Sequence, residues 1–253
     1  DYVRSAYSGQ LKPVPGVIGP LRMVKSKEEI DTIRAAGQLA EGVLADLIED
    51  LKPGITERQL AARFEFEFEA RGASGASFDT IAAFGPKSSL PHAQPGDKPL
   101  ERGDIVLLDF GCRLNGYCSD LTRTFAFGTI PGAWFEEIYH LTLTAQRRAL
   151  EAVGPGKPCR EVDAIARDII TQGGHGKHFG HGLGHGVGIE IHESPRLNPE
   201  SQAVLAPGMV VTVEPGIYLS GQGGVRIEDL VVVTEDGCEN LSKAPKELRI
   251  LGT

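Results

Sequence analysis

The chain has 253 residues, enough for one large domain or two small ones with a substantial core. Its 34 acidic against 26 basic residues leave a net charge of −8, which argues against a nucleic-acid or anionic-membrane partner, since both reward basic patches. No apolar run approaches the roughly 20 residues of a membrane span, and neither a signal peptide nor a CxxC pair is recognisable, as expected of a cytoplasmic protein with reduced Cys112, Cys118, Cys159 and Cys238.

Residues 1–20 are rich in Gly and Pro without periodicity and read as a linker or the remnant of an absent N-terminal domain; the chain opens on Asp1 rather than methionine. A helix starts after Ser26, an N-cap with Glu29 in capping-box position, carries an apolar stripe from Ile30 to Leu51, and stops at Pro53-Gly54. A second helix follows Thr56 and runs to about Gly72. Strand-like segments come next around 79–84 and 104–110, then a hairpin through 126. The second half repeats the plan, with helices over 134–153 and 159–172 and two further strand regions.

The repetition extends to individual residues. LERGDIVLLDFG (Leu100–Gly111) and LAPGMVVTVEPG (Leu205–Gly216) overlay, so that Glu214 falls on Asp109. A second acid follows each copy, Asp120 in SDLTRTF and Glu228 in RIEDLVVV. Helix–helix–strands, twice, predicts a pseudo-two-fold α+β domain around one central sheet.

Asn115-Gly116 is a strong hairpin signal. With those two residues as the turn, Asp109 faces Thr122 and Asp120 faces Gly111, and strand alternation puts all four on one side of the ribbon. Gly111 is expected to leave open space beside Asp120. Carboxylates at the ends of apolar strands are costly to bury unless a cation lies between them. Four of them facing one another would bind one or two divalent ions. The segment FGHGLGHGVGIEIHESP adds His181, His185 and His192, and LPHAQPGD adds His92. Imidazole in an oxygen-rich site favours Mn(II), Co(II), Fe(II) or Zn(II) over Ca(II) or Mg(II). His140 reads as an ordinary helix residue, and His175 and His178 as loop residues.

The set Asp109, Asp120, His185, Glu214 and Glu228, in this order and spacing, resembles the pita-bread metallopeptidases (creatinase/aminopeptidase fold). The segments LPHA, LLDFG, GHGVGIEIHESP, TVEPGIY and GVRIEDLVVVT are similar to the proline-directed branch, over residues 21–253. The resemblance implies a pita-bread fold with a curved, mainly antiparallel sheet and a catalytic domain over 21–253. It implies two divalent metal ions, Mn(II) first and Co(II), Zn(II) or Fe(II) as alternatives. Asp109 would hold one ion through both oxygens, His185 with Glu214 the other, and Asp120 and Glu228 would bridge them. His92, His181 and His192 match histidines that contact substrate and shuttle protons, and Arg226 an arginine beside the second bridging glutamate. The implied activity is hydrolysis of the bond before proline in peptides by a homodimer, as an Xaa-Pro dipeptidase (prolidase), with Xaa-Pro aminopeptidase as the alternative. Methionine aminopeptidase and a non-catalytic peptide-binding module are the remaining readings.

Overall fold

The computed structural model describes residues 5–12, 16 and 18–252; of the linker expected over 1–20, residues 1–4, 13–15 and 17 lie outside the described residues. A short helix α1 (Ile18–Met23) begins inside that stretch despite Gly19 and Pro20. Proline is tolerated there because first-turn amides have no intrahelical acceptor. Tertiary contacts hold the helix, since Arg22 donates to Glu193 and lies 3.4 Å from Glu190.

Helix α2 (Lys27–Glu49) follows Ser26, whose hydroxyl accepts from the Glu29 amide while the Ser26 amide donates to the Glu29 carboxylate. Helix α3 (Glu57–Ala70) has the same reciprocal box from Thr56 and Gln59. These satisfy amides that the first turn leaves without partners. The pair packs on β1 (Ile81–Phe84), β2 (Ile105–Phe110) and β5 (Leu121–Phe127). Between β2 and β5 the chain turns through the two-residue strands β3 (Arg113–Leu114) and β4 (Tyr117–Cys118). Asn115 and Gly116 both take positive φ at the tip, 49° and 87°.

In the second half, α4 (Ala133–Ala152) and α5 (Cys159–Gln172) cover β6 (Gly184–Gly186), β8 (Val210–Val213) and β11 (Asp229–Val233). The remaining strands are β7 (Glu193–Leu197), β9 (Gly216–Leu219), β10 (Gly223–Arg226), β12 (Cys238–Asn240) and β13 (Ile250–Leu251). Hydrogen bonding divides the expected single sheet. One half forms the order β1-β2-β5-β13, the other β12-β11-β8-β6-β7, and β9-β10 and β3-β4 are separate ribbons. All pairings are antiparallel except β5 with β13.

Alternation decides what faces what. Val106, Leu108 and Phe110 of β2 point into the core beneath α2 and α3, so Asp109 points to the opposite side. On β8, Val211 and Val213 join the core beneath α4 and α5, leaving Thr212 and Glu214 on the side of Asp109. Each half buries its helices on one side of its sheet and presents acids on the other.

The first hairpin has the predicted register: Asp109 pairs with Thr122, and Arg113 with Cys118. One expectation is overturned. A Cβ built on Gly111 would lie 1.9 Å from the Ser119 carbonyl oxygen, so this glycine permits close strand approach rather than opening space beside Asp120. A second correction concerns the repeat. On β8 and β11, Val213 pairs with Asp229, and on β9 and β10, Gly216 pairs with Arg226, which sets Glu214 opposite Glu228. With Asp109 equivalent to Glu214, the position equivalent to Glu228 is Thr122, and Asp120 corresponds to Arg226. The second acids of the two copies therefore occupy different places on their ribbons.

Candidate metal centre

The acids and histidines singled out in the sequence converge on one cavity of about 600 Å³. It is lined by His92, Asp109, Asp120, His181, His185, His192, Glu214, Arg226 and Glu228. Asp109 comes from β2, Asp120 from the residue before β5, His185 from β6, and Glu214 and Glu228 from the ends of β8 and β11. Single ligand atoms of Asp120, His185 and Glu228 lie within 4.8 Å of one another, and all three side chains are buried.

The protonation of His185 follows from its surroundings. Its Nδ1 is 3.1 Å from the Gly186 carbonyl oxygen, which requires a proton on Nδ1 and leaves Nε2 with a lone pair. Burial pushes its pKa down to about 3, so the ring is neutral. Nε2 nevertheless lies 3.5 Å from Asp120 Oδ2 and 3.3 Å from Glu214 Oε1. These contacts are not ion pairs: the Nε2 lone pair faces carboxyl oxygens and is free to bind a cation.

The carboxylates show the same tension. Burial, then the charges of Glu228, Asp109 and Glu214, push Asp120 well above the ordinary range. Burial, followed by Glu214 and Asp109, does the same to Glu228. Burial pushes Glu214 up to about 7. Asp109 Oδ1 is buried and has no hydrogen-bond partner among the described residues. Mutually repelling carboxylates, an imidazole lone pair and an orphaned carboxylate oxygen on one cavity fit divalent cations.

Hydrogen bonds orient these groups. Thr122 Oγ1 donates to Glu228 Oε2 at 2.6 Å and accepts from Arg226 Nε at 3.1 Å. Thr212 Oγ1 donates to Glu214 Oε1 at 3.1 Å and accepts from the His185 amide at 3.0 Å. Arg226, 3 % exposed, bonds Asp109 Oδ2 through Nη2, leaving Oδ1 as the open oxygen. Burial opposes the charge on Arg226, but Tyr218, Asp109, Glu214 and Glu228 outweigh it and raise its pKa further. Its Nη1 donates to Tyr218 OH at 2.9 Å, so that hydroxyl donates to His181 Nε2, also at 2.9 Å. The other ring nitrogen of His181 bonds the Gly182 carbonyl at 2.8 Å, and burial pushes its pKa down to about 4. The His192 ring stands edge-on to His185, with centroids 4.4 Å apart.

Sequence reasoning missed Tyr218, Thr212, Arg196 and Asp79 as parts of this cavity region. Tyr218 lies within the quoted segment TVEPGIY, and alternation from Gly216 would have placed it on the same side. Arg196 lines the cavity, is exposed, and has no ion-pair partner among the described residues; Asp79 shares all three properties. Neither stands in a motif that would announce it. Among the described residues no helix is long and apolar enough to cross a membrane.

Residues 31–235 match the family model described as metallopeptidase family M24. The chain is 47% identical to the Xaa-Pro dipeptidase of Pyrococcus furiosus over 94% of its length and 68% of that protein's. Among solved structures, it matches the Xaa-Pro dipeptidase from Bacillus anthracis with a TM-score of 0.95 at 45% identity, covering 98% of this chain and 70% of that one. It also matches the X-Pro aminopeptidase from Thermotoga maritima with a TM-score of 0.90 at 40% identity, covering 92% of this chain and 66% of that one. The fold is thus the pita-bread fold that the sequence led one to expect, and the family implies divalent metal ions. The chain belongs to metallopeptidase family M24.

Proposed function

We propose that residues 21–253 form the catalytic domain of a metal-dependent Xaa-Pro dipeptidase. The observation that carries this reading is the cavity itself. It joins a cation-seeking cluster to an acid, Asp79, and a cation, Arg196, that have no ion-pair partner among the described residues. A free dipeptide is a zwitterion, and those two residues offer counter-charges to its ammonium and carboxylate. Names carried by relatives, Xaa-Pro dipeptidase in two archaeal proteins, support the same reading.

Two divalent cations, Mn(II) first, would be held by Asp109, Asp120, His185, Glu214 and Glu228. Such a pair supplies Lewis acidity and brings water's pKa towards neutrality. Glu214 is the group that takes a proton from the attacking water and delivers it to the proline nitrogen, which has no hydrogen of its own. Thr212 fixes Glu214 Oε1, so the proton travels on the other oxygen. His192, exposed at the cavity, donates to the carbonyl oxygen of the residue before proline, and His92 stands on the leaving-group side. His181 has both ring nitrogens engaged and acts through Tyr218 and Arg226. The protein works as a cytoplasmic homodimer.

The test is hydrolysis of Gly-Pro, Gly-Pro-Pro and Met-Ala-Ser by metal-stripped protein refilled with Mn(II), Co(II) or Zn(II). Cleavage of Gly-Pro alone is the expected result. Cleavage of Gly-Pro-Pro with equal efficiency makes the chain an aminopeptidase, and absence of cleavage with every metal overturns the enzymatic reading.

A further inference from the structure

Behind the carboxylates, on the helix-facing side of the strands, lies a second charged cluster. Because Thr122 and Glu228 are equivalent positions of the two halves, the residues after them, Arg123 and Asp229, are equivalent too. Both equivalent pairs meet where the halves join. Thr122 and Glu228 touch on the cavity side, while Arg123 and Asp229 form an ion pair of 2.8 Å on the other side, 1% and 0% exposed.

All five guanidinium donors of Arg123 are used. Nη1 reaches the backbone carbonyls of Thr122, at 2.9 Å, and of Glu228. Nη2 reaches Asp229 Oδ1 and Ala244 O, and Nε reaches Pro245 O. Asp229 in turn accepts from Gln146 of α4 at 3.0 Å, Asn240 of β12 at 2.9 Å and Lys246.

Backbone pairing does little at this seam. Strands β5 and β11 belong to different sheets, and the backbone bond at the seam is made by the residue before β11, Glu228 N to Thr122 O at 3.2 Å. A buried ion pair is a poor means to stability alone, since apolar residues of similar volume often serve as well or better. What apolar residues cannot do is grip the carbonyls of Thr122 and Glu228 at once.

We propose that Arg123 and Asp229 are a positioning pair that fixes the spacing across the seam, and with it the placement of Glu228 and Asp120 around a shared divalent cation. The inference rests on the reading of those two acids as metal ligands.

The test compares wild type, Arg123→Lys, the apolar double variant Arg123→Met/Asp229→Leu, and Arg249→Ala, which removes an exposed ion pair with Glu49. Each metal-stripped protein is titrated with Co(II), reading the d–d absorption spectrum and the number of ions bound, beside Tm and Gly-Pro kinetics. The double variant is expected to fold, bind Co(II) at least tenfold more weakly with a shifted absorption band, and lose kcat at least tenfold with KM changed less than twofold. Arg249→Ala is expected to match wild type in all of these. A folded double variant with wild-type spectrum and affinity overturns the inference. Should the double variant fail to fold, Arg123→Lys, which keeps the charge but reaches fewer acceptors, reads the same spectrum, and an unchanged spectrum again overturns it. Wild type that binds no Co(II) overturns this inference and the metal-centre reading together, whereas normal wild-type binding with unaffected variants overturns this inference alone.

Discussion

Thr122 and Glu228, equivalent positions in the two halves of the chain, are joined by a 2.6 Å hydrogen bond from hydroxyl to Oε2. The bond commits one carboxylate oxygen of Glu228 and leaves the other for a cation. Removing it in Thr122→Val keeps the volume and loses the orientation. Partners of metal ligands typically contribute 10–100-fold to affinity. Metal affinity of this variant, measured by titration of the stripped protein, is expected to fall about tenfold, and Tm to fall as well, because the buried Arg226 Nε also loses its acceptor.

Arg226 ties Asp109, Tyr218 and Thr122 together from one buried guanidinium. Replacement by Met leaves the half-buried Asp109 without its counter-charge, a loss of up to about 3 kcal/mol, the lower end of what breaking a buried pair costs. Thermal unfolding of the metal-stripped variant is expected to show that loss, with partial recovery on adding metal. Unchanged Tm would mean that Asp109 is solvated.

Arg196 is exposed and unpaired among the described residues, so its removal has little to do with folding. If it meets a substrate carboxylate, Arg196→Ala loses about tenfold in kcat/KM for Gly-Pro, or ~1.4 kcal/mol. Tm should stay within a degree of wild type. Equal loss on an amidated dipeptide, which has no carboxylate, would contradict the assignment.

Glu193 anchors α1 and Lys25 to β7. Burial alone would raise its pKa, but bonds from the Glu190 amide, Arg22 and Lys25 outweigh burial and bring it below the usual carboxylate value. A depressed folded-state pKa gives stability that is present above the unfolded value near 4.3 and lost as pH falls through the folded one. Glu193→Gln should therefore be less stable than wild type by about 2 kcal/mol at pH 7. The gap in chemical denaturation should close below pH 4. A gap that persists at pH 3 would point to packing instead.

Gly111→Ala tests the close approach at the hairpin. The added methyl meets the Ser119 carbonyl one residue before Asp120, so relief requires the strands to part. Destabilisation by more than about 3 kcal/mol is expected, above the usual range for one added methyl in a core. Asp120 should move with Ser119, so metal binding should weaken as well.

What the sequence disclosed was local. Ser26 and Thr56 mark helix starts because a cap is a contact across three residues, and Asn115-Gly116 fixes one register because two positive-φ residues define the turn. The carboxylates were legible through repetition of whole segments. The second ribbon was not, since its connection through Ser220–Gly223 has no such turn pair and its register is set by pairing on both β8 and β9. Helix α1 was hidden because its support comes from Glu190 and Glu193, far along the chain. Arg196 was overlooked for the same reason: only the folded cavity gives its side chain a destination.

The Arg123–Asp229 bond also bears on ancestry. In a dimer of identical half-length chains, residues meeting at equivalent positions on the two-fold axis are copies of each other. Arginine would face arginine there, or aspartate would face aspartate, and like charges in a dry seam repel strongly. An ion pair at that place requires two halves of different sequence, which a duplication that then diverges within one chain supplies. Splitting this protein into its halves and mixing them should thus give only the mixed assembly, never a pair of first halves or a pair of second halves.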